Sequence, residues 1–514
     1  MEDFFRRLPK MTNNHIHLFA LFPFKRLLKI IKKIDPELYH KIYVLKHDLT
    51  SGDQLIHKYT MITFNHNVEG VPFADVTTLE DWQPLSEIDT DPALWASLII
   101  KQHIDRPFNQ FERIQALVRI LVRHYKIYYY LWYISLYTNY HNRIYYLNVR
   151  GRPGTINKDV RHGHRFFIDS PNAMAEADFQ TKMTDLIRSD LDVKSQDIKF
   201  MYRQYIKIKY ESDLILMAVN DFNSSHNYPS FVTSNHLLEP KSKTKIQFDE
   251  NFYPDDPSIK PQMMVQYIIT FPKYPKGTQL DFRKLIHEIK EILYIAVVIN
   301  TEYGFQFFNG IDFVGNEQET TDLSDWVPYL GKLLYFRKYG IHFIPHIGET
   351  NKIKTEINPI ERFILDKQLT RIGHGMSFVT TDAIRLALET RTGNSTISGP
   401  GNFYIESCPI SNYLLGYYHP KDHPHRLALL DSHIKLMICS DDNGLFNYST
   451  VTRDYMIIYK FWNITMDQIK QLILNGMAMI PQPYKKYYHD VFNKQWTNLE
   501  RTNPNEMLKD LRKK

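Results

Sequence analysis

Eight short β-like runs, with helical patterns between most neighbours, constrain this chain more than any other feature. They read as Asn14–Phe19, Arg143–Val149, Val265–Phe271, Gln306–Val314, Ile341–Gly348, Thr370–His374, Asn402–Cys408 and Ile434–Ser440. Asp281–Val297 repeats apolar residues at helical spacing. Thr465-Met466-Asp467-Gln468 reads as a capping box that opens a late helix. Strand–helix units in this number point to a closed (β/α)8 TIM barrel, an α/β fold, rather than an open sheet. With insertions, such a barrel accommodates all 514 residues as one unit.

The uneven spacing locates the insertions. Residues 35–105 carry turn-rich pieces and apolar runs of their own. They read as a small inserted domain between strand 1 and helix 1, which leaves 1–34 and 106–514 for the barrel. Residues 220–262 are rich in Ser, Asn, Pro and Asp and read as a long surface excursion.

Composition narrows the chemistry. The chain is 43% hydrophobic and 23% charged, which suits a soluble globular protein with a sizeable core. Cys408 and Cys439 are its only cysteines, so a disulfide scaffold and a cysteine-based zinc cluster are both excluded. Any metal site must be built from His and carboxylates. The net charge of +6 is spread along the chain, without the dense basic stripe of a nucleic-acid binder. The start, MEDFFRRLPKMTNNHIH, has no apolar signal core, and Ile127–Tyr137 is too short and too Tyr-rich to cross a bilayer. The expectation is a cytoplasmic protein with neither a membrane nor a nucleic-acid partner.

Barrel active sites lie at the C-terminal ends of the strands. The first run holds His15-Ile16-His17, whose two imidazoles share one side of a strand. The fifth ends in His346-Ile347-Gly348-Glu349, and the sixth in Gly373-His374-Gly375. The eighth ends in Ser440-Asp441-Asp442. Singly, each has an ordinary reading: a surface histidine pair, a solvated Glu, a loop histidine, an Asp-opened turn. Together, four strand ends in order carry metal or proton chemistry. Three histidines and an aspartate make a zinc shell with a position left for water. A Glu and a fourth His supply acid–base function.

The ordered set HIH, GIDFVGNE, HIGET, RIGHG, ESCPISN and CSDDNG resembles the adenosine deaminases, above all their growth factor-related branch. The resemblance runs from about Gly310 to the end and at the front is confined to His15–His17. It implies a barrel of the metal-dependent amidohydrolase type with one zinc ion per chain, held by His15, His17, His346 and Asp441. It implies catalytic roles for Glu349, His374 and Asp441. Glu349 matches the acid that protonates the purine ring, and His374 the residue that orients and helps deprotonate the metal-bound water. Gly315 and Asp442 match contacts to the purine. The implied reaction is hydrolytic deamination of adenosine, or a related 6-aminopurine nucleoside, to inosine and ammonia.

Departures from the pattern keep alternatives open. Leu18 and Phe19 are apolar where the family places a carboxylate that holds the sugar. Lys273 and Lys276 stand in a loop that usually offers a His to the 5′ hydroxyl; a lysine there can meet a 5′ phosphate, although loop lysines are more often solvated. A deaminase of adenine, AMP or another 6-substituted purine therefore stays in view, as does a non-catalytic purine-binding or signalling homologue. The related branch is usually secreted, but its signal peptide and helical dimerisation segment are not seen before His15. A homodimer is left open by the sequence.

Overall fold

The computed structural model describes residues 2–46, 59–64, 82–97, 107–156, 159–161, 164–166, 172–188, 190, 197–225, 261–275, 277–317, 319–321, 323–350, 369–382, 403–429 and 434–502. Eight parallel strands form its centre. They are β1 (Met11–His17), β2 (Ile144–Gly151), β3 (Met264–Pro272), β4 (Phe308–Val314), β5, β6 (Arg371–His374), β7 (Phe403–Ser407) and β8 (Ile434–Ile438). Strand β5 comes in two short pieces, His342–Phe343 and His346–Ile347. The first pairs with β4 and the second with β6. Pro345 lies at the break and has no N–H to donate. Its carbonyl still accepts from Gly373 N at 2.9 Å, which keeps the wall continuous.

The barrel closes between β8 and β1. Asp441 N donates to His15 O at 2.9 Å, and His17 N donates to Asp441 O at 3.1 Å. All eight expected runs coincide with strands, although the first is displaced. It begins at Met11 and ends at His17, and Leu18–Ala20 turn into a 3-10 helix. The apolar Leu18 and Phe19 continue the strand pattern in sequence, but here the chain turns off the barrel toward the helix Phe24–Ile34.

Inward side chains set the layers beneath the site. Every second residue of β2 points into the barrel. Tyr146 donates to Gln266 of β3 at 2.6 Å, and Asn148 to Asn309 of β4 at 3.0 Å. Arg150 reaches Asp312 of β4 and Glu406 of β7. The barrel floor is thus a polar network with its hydrogen bonds largely internal, which fixes strand positions as apolar packing alone would not.

The expected helix over 281–297 extends to Tyr303. The Asp281 side chain caps its start, and Gly304, in the left-handed region at φ 70°, ends it. The capping box of Thr465 and Gln468 is formed. Within 35–105 the described residues include a three-stranded antiparallel sheet: Ile42–Lys46 in the middle, Tyr59–Phe64 and Trp82–Pro84 at its edges. The helix Ile198–Ser225 runs into the stretch read as an excursion. Residues 226–260 lie outside the described residues, and Met263 N is tied back to Asn223 at 2.8 Å. No helix among the described residues is long and apolar enough to cross a membrane.

Candidate active site

The C-terminal ends of β1, β5, β6 and β8 bring the expected residues together. The Nε2 atoms of His15 and His346 lie 3.0 Å apart, those of His17 and His346 3.2 Å, and those of His15 and His17 3.4 Å. Asp441 Oδ1 is 3.2 Å from both His15 Nε2 and His17 Nε2. Asp441 holds this position with a left-handed backbone, φ 58°, which is uncommon outside glycine.

These separations fit a tetrahedrally held cation. Donors about 2.0–2.1 Å from zinc lie about 3.3 Å from one another. The protonation pattern agrees. His346 Nδ1 is 2.6 Å from Asp312 and His15 Nδ1 is 2.9 Å from Glu406. A proton on each Nδ1 leaves Nε2 as a lone pair, so lone pairs would face one another with nothing between them. Asp441 Oδ1 is buried with no hydrogen-bond partner. A cation among these four groups removes both costs.

A second circle of charges holds the first. The Arg150 guanidinium is fully buried, 2.7 Å from Asp312 and 2.6 Å from Glu406. Arg371 also donates to Glu406. Arg150 and Arg371 keep the Glu406 carboxyl, and His346 and Arg150 the Asp312 carboxyl, far below the usual carboxylate range despite burial. Asp312 and Glu406 lie in motifs quoted above, GIDFVGNE and ESCPISN, but nothing in one sequence says which strand faces they occupy. Ser411 donates to Asp441 Oδ2 at 2.7 Å and was likewise missed.

Glu349 and His374, the expected acid–base groups, stand beside this cluster. Glu349 is buried, and its pKa is raised well above the usual value by burial and then by Asp441 and Glu317, against the pull of Lys273. Glu317 accepts from Gly348 N, Thr350 N and Thr350 Oγ1 at 2.7–2.8 Å, which pins the turn that carries Glu349. His374 Nε2 is 3.6 Å from Glu349 and 3.6 Å from Asp441. Its backbone is left-handed, φ 60°. Burial above all lowers the His374 pKa, against the pull of Asp441. Asp442 is buried, and burial and Asp441 raise its pKa strongly. Gly315 follows β4 with φ 144° and closes on Lys273 and Thr320.

One expectation about the surroundings changes. Lys273 is not a solvated loop lysine; it is 7% exposed and donates to His346 O at 3.0 Å. Lys276 lies outside the described residues. Leu18 is fully buried and Phe19 is half-buried, with the Arg119 guanidinium 5.4 Å from its ring centre.

Comparison with known proteins follows the same lines. Residues 295–494 match the adenosine deaminase family model. Adenosine deaminase 2 of Dictyostelium discoideum is 29% identical over 199 residues, 37% of this chain and 34% of that one. Adenosine deaminase 2 of Homo sapiens is 27% identical over 226 residues, 41% of each chain. The matched stretch thus spans about a third to two-fifths of these relatives. The fold is shared more widely. The N6-methyl-AMP deaminase of Arabidopsis thaliana superposes with a TM-score of 0.51 at 13% identity, covering 96% of this chain and 98% of that one. A zinc-bound amidohydrolase from Burkholderia ambifaria superposes with a TM-score of 0.53 at 13% identity, covering 98% and 94%. The segment that carries His346, Glu349, His374 and Asp441 is thus similar to the adenosine deaminase family.

Proposed function

We propose that the protein is a zinc-dependent aminohydrolase that converts adenosine, or a related 6-aminopurine nucleoside, to inosine or its counterpart and ammonia. One observation carries the reading: the tetrahedral spacing of His15, His17, His346 and Asp441, with Glu349 and His374 on its open side. When bound, zinc supplies Lewis acidity and a water that ionises at about pH 7. His374 and Asp441 orient the attacking water. Its oxygen adds to C6 of the purine, and the ring nitrogen beside C6 takes a proton from Glu349. Burial, Asp441 and Glu317 raise the Glu349 pKa and so favour its holding that proton. Asp442, whose pKa is raised by burial and Asp441, offers a hydrogen bond to the imidazole side of the purine. Gly315 offers a backbone donor to its other edge. The proton that the water gives up on attack, held meanwhile by Asp441, passes to the amino group, the C6–N bond breaks, ammonia leaves, and the new C6 hydroxyl returns a proton to Glu349 as it becomes the carbonyl.

A second reading concerns the substrate alone. Buried Leu18 and the Arg119–Phe19 pair replace the carboxylate that would hold a ribose. They favour a purine held by something other than a sugar–carboxylate bond: adenine, AMP or another 6-substituted purine. One of the fold neighbours is itself named for N6-methyl-AMP.

A spectrophotometric panel of adenosine, deoxyadenosine, adenine, AMP and methylthioadenosine on zinc-loaded protein separates these readings. Turnover of adenosine supports the first, and faster turnover of adenine or AMP supports the second. No turnover of any 6-aminopurine, or full activity in Glu349→Gln, overturns both. Metal analysis of the wild type should find one zinc per chain.

A further inference from the structure

A chain of buried hydrogen bonds leads from the backbone to the far side of His374. His423 Nδ1 faces the backbone N–H of His425 at 3.4 Å. His423 Nε2 is 3.1 Å from Asn412 Oδ1. Asn412 Nδ2 is 3.1 Å from His374 Nδ1. All three side chains are at most 1% exposed, so bulk water cannot substitute for any of these partners. His423 is kept neutral, chiefly by burial.

The backbone sets the direction of the whole chain. An amide N–H can only donate, so His423 Nδ1 accepts and the single proton of that ring sits on Nε2. His423 Nε2 then donates, and the Asn412 atom facing it must be the carbonyl oxygen. The Asn412 amide nitrogen therefore faces His374 and donates to Nδ1. His374 Nδ1 accepts, and its single proton is left on Nε2. Reversing any one link places two donors or two lone pairs face to face in a buried site.

We propose that Asn412 and His423 are positioning residues that fix His374 as a hydrogen-bond donor through Nε2. That atom points between Glu349 and Asp441, 3.6 Å from each. A donor there holds the attacking oxygen by a lone pair and aims it at the ring; it does not take that oxygen's proton. This consequence for catalysis rests on the aminohydrolase reading, whereas the proton's location does not.

The decisive variant is Asn412→Asp. A carboxylate only accepts, so it draws a proton onto His374 Nδ1 and turns Nε2 into an acceptor. A misplaced tautomer of this kind costs about 10⁴ in kcat in a serine protease triad. Here kcat should fall by about 10² while KM stays within about twofold, with zinc content and thermal midpoint unchanged. His423→Gln keeps an N–H donor toward Asn412 and should retain kcat within about threefold; His423→Leu should lose it. Spectra of the ¹⁵N-histidine-labelled full chain, with and without zinc, give a readout independent of turnover. The His374 signals, assigned by difference with His374→Ala, should place the proton on Nε2 in wild type and on Nδ1 in Asn412→Asp. A wild-type proton on Nδ1, full kcat in Asn412→Asp, or equal losses in the Gln and Leu variants of His423 would overturn the proposal. If the wild type deaminates no 6-aminopurine, the aminohydrolase reading fails while the spectra still decide the relay.

Discussion

Asp312 grips His346 twice: Oδ2 lies 2.6 Å from the ring Nδ1, and Oδ1 accepts the backbone N–H at 2.8 Å. One carboxylate thus sets both the tautomer and the position of an imidazole of the proposed metal site. Replacing it by Asn puts an amide where only an acceptor serves. Asp312→Asn should weaken zinc binding by about 10–100-fold, as loss of such a partner does elsewhere. It also strips a charge from buried Arg150, at about 3 kcal/mol of stability. A competition titration against a chelating dye reads the first effect, and urea unfolding the second. Unchanged zinc affinity would mean that Asp312 does not orient His346.

Gly373 tests the same shell from another side. A methyl group added there would lie 2.9 Å from His15 Cε1 and 3.3 Å from His15 Nδ1. The ring cannot retreat freely, because Nδ1 is held by Glu406 at 2.9 Å. Gly373→Ala should therefore displace His15 and lower zinc affinity by about tenfold, with a stability loss of about 1–3 kcal/mol from overpacking. Chelator competition on the purified variant measures it. A variant that binds zinc like the wild type would show that β6 and β1 can spread apart.

These two positions mark what one sequence can and cannot convey. The strands were legible because each is a short apolar run, and the residues ending them stood out by chemical type. His15, His17, His346, Glu349, His374 and Asp441 meet because a barrel gathers its strand ends. The supporting shell was not legible. Asp312, Glu406 and Arg150 sit one layer deeper on different strands, and their pairing depends on register across the barrel. The end of β1 was misjudged because Leu18 and Phe19 prolong an apolar pattern that the chain uses for a turn. Lys273 looked solvated because loop composition does not reveal a carbonyl such as that of His346 waiting for its ammonium.

Lys273 also bears on the pH profile. Its positive charge opposes the rise in the Glu349 pKa, whereas Asp441 and Glu317 promote it. In the proposed reaction Glu349 must be protonated, so the rate should decline as pH rises through that raised pKa. Lys273→Met removes the opposing charge, raises the pKa further, and should move the alkaline limb of kcat to higher pH. Glu317→Gln removes a negative charge and should move it the other way. The limb position is read from kcat measured across pH on zinc-loaded protein. Identical limbs in wild type and both variants would assign that ionisation to another group.

Glu211 gives a prediction outside the site. It is 1% exposed, accepts from Tyr128 at 2.9 Å, and takes Gly154 N and Thr155 N at 2.8 and 3.0 Å, anchoring the loop after β2. Burial pushes its carboxyl up to about 7 from 4.5, against the pull of those donors and Arg123. The folded state then holds a proton that the unfolded chain releases. Below the unfolded value both states are protonated and the contribution is complete. Between the two values it fades by about 1.4 kcal/mol per pH unit, and above the folded value it is gone. Urea unfolding of the wild type between pH 5 and pH 8 should therefore lose about 2 kcal/mol more than Glu211→Gln, whose amide keeps an acceptor for the loop and does not titrate. At pH 8 the variant should equal or exceed the wild type. Parallel pH dependences in the two proteins would show that Glu211 is ionised in the native fold at neutral pH, its charge balanced by the two amides, Tyr128 and Arg123.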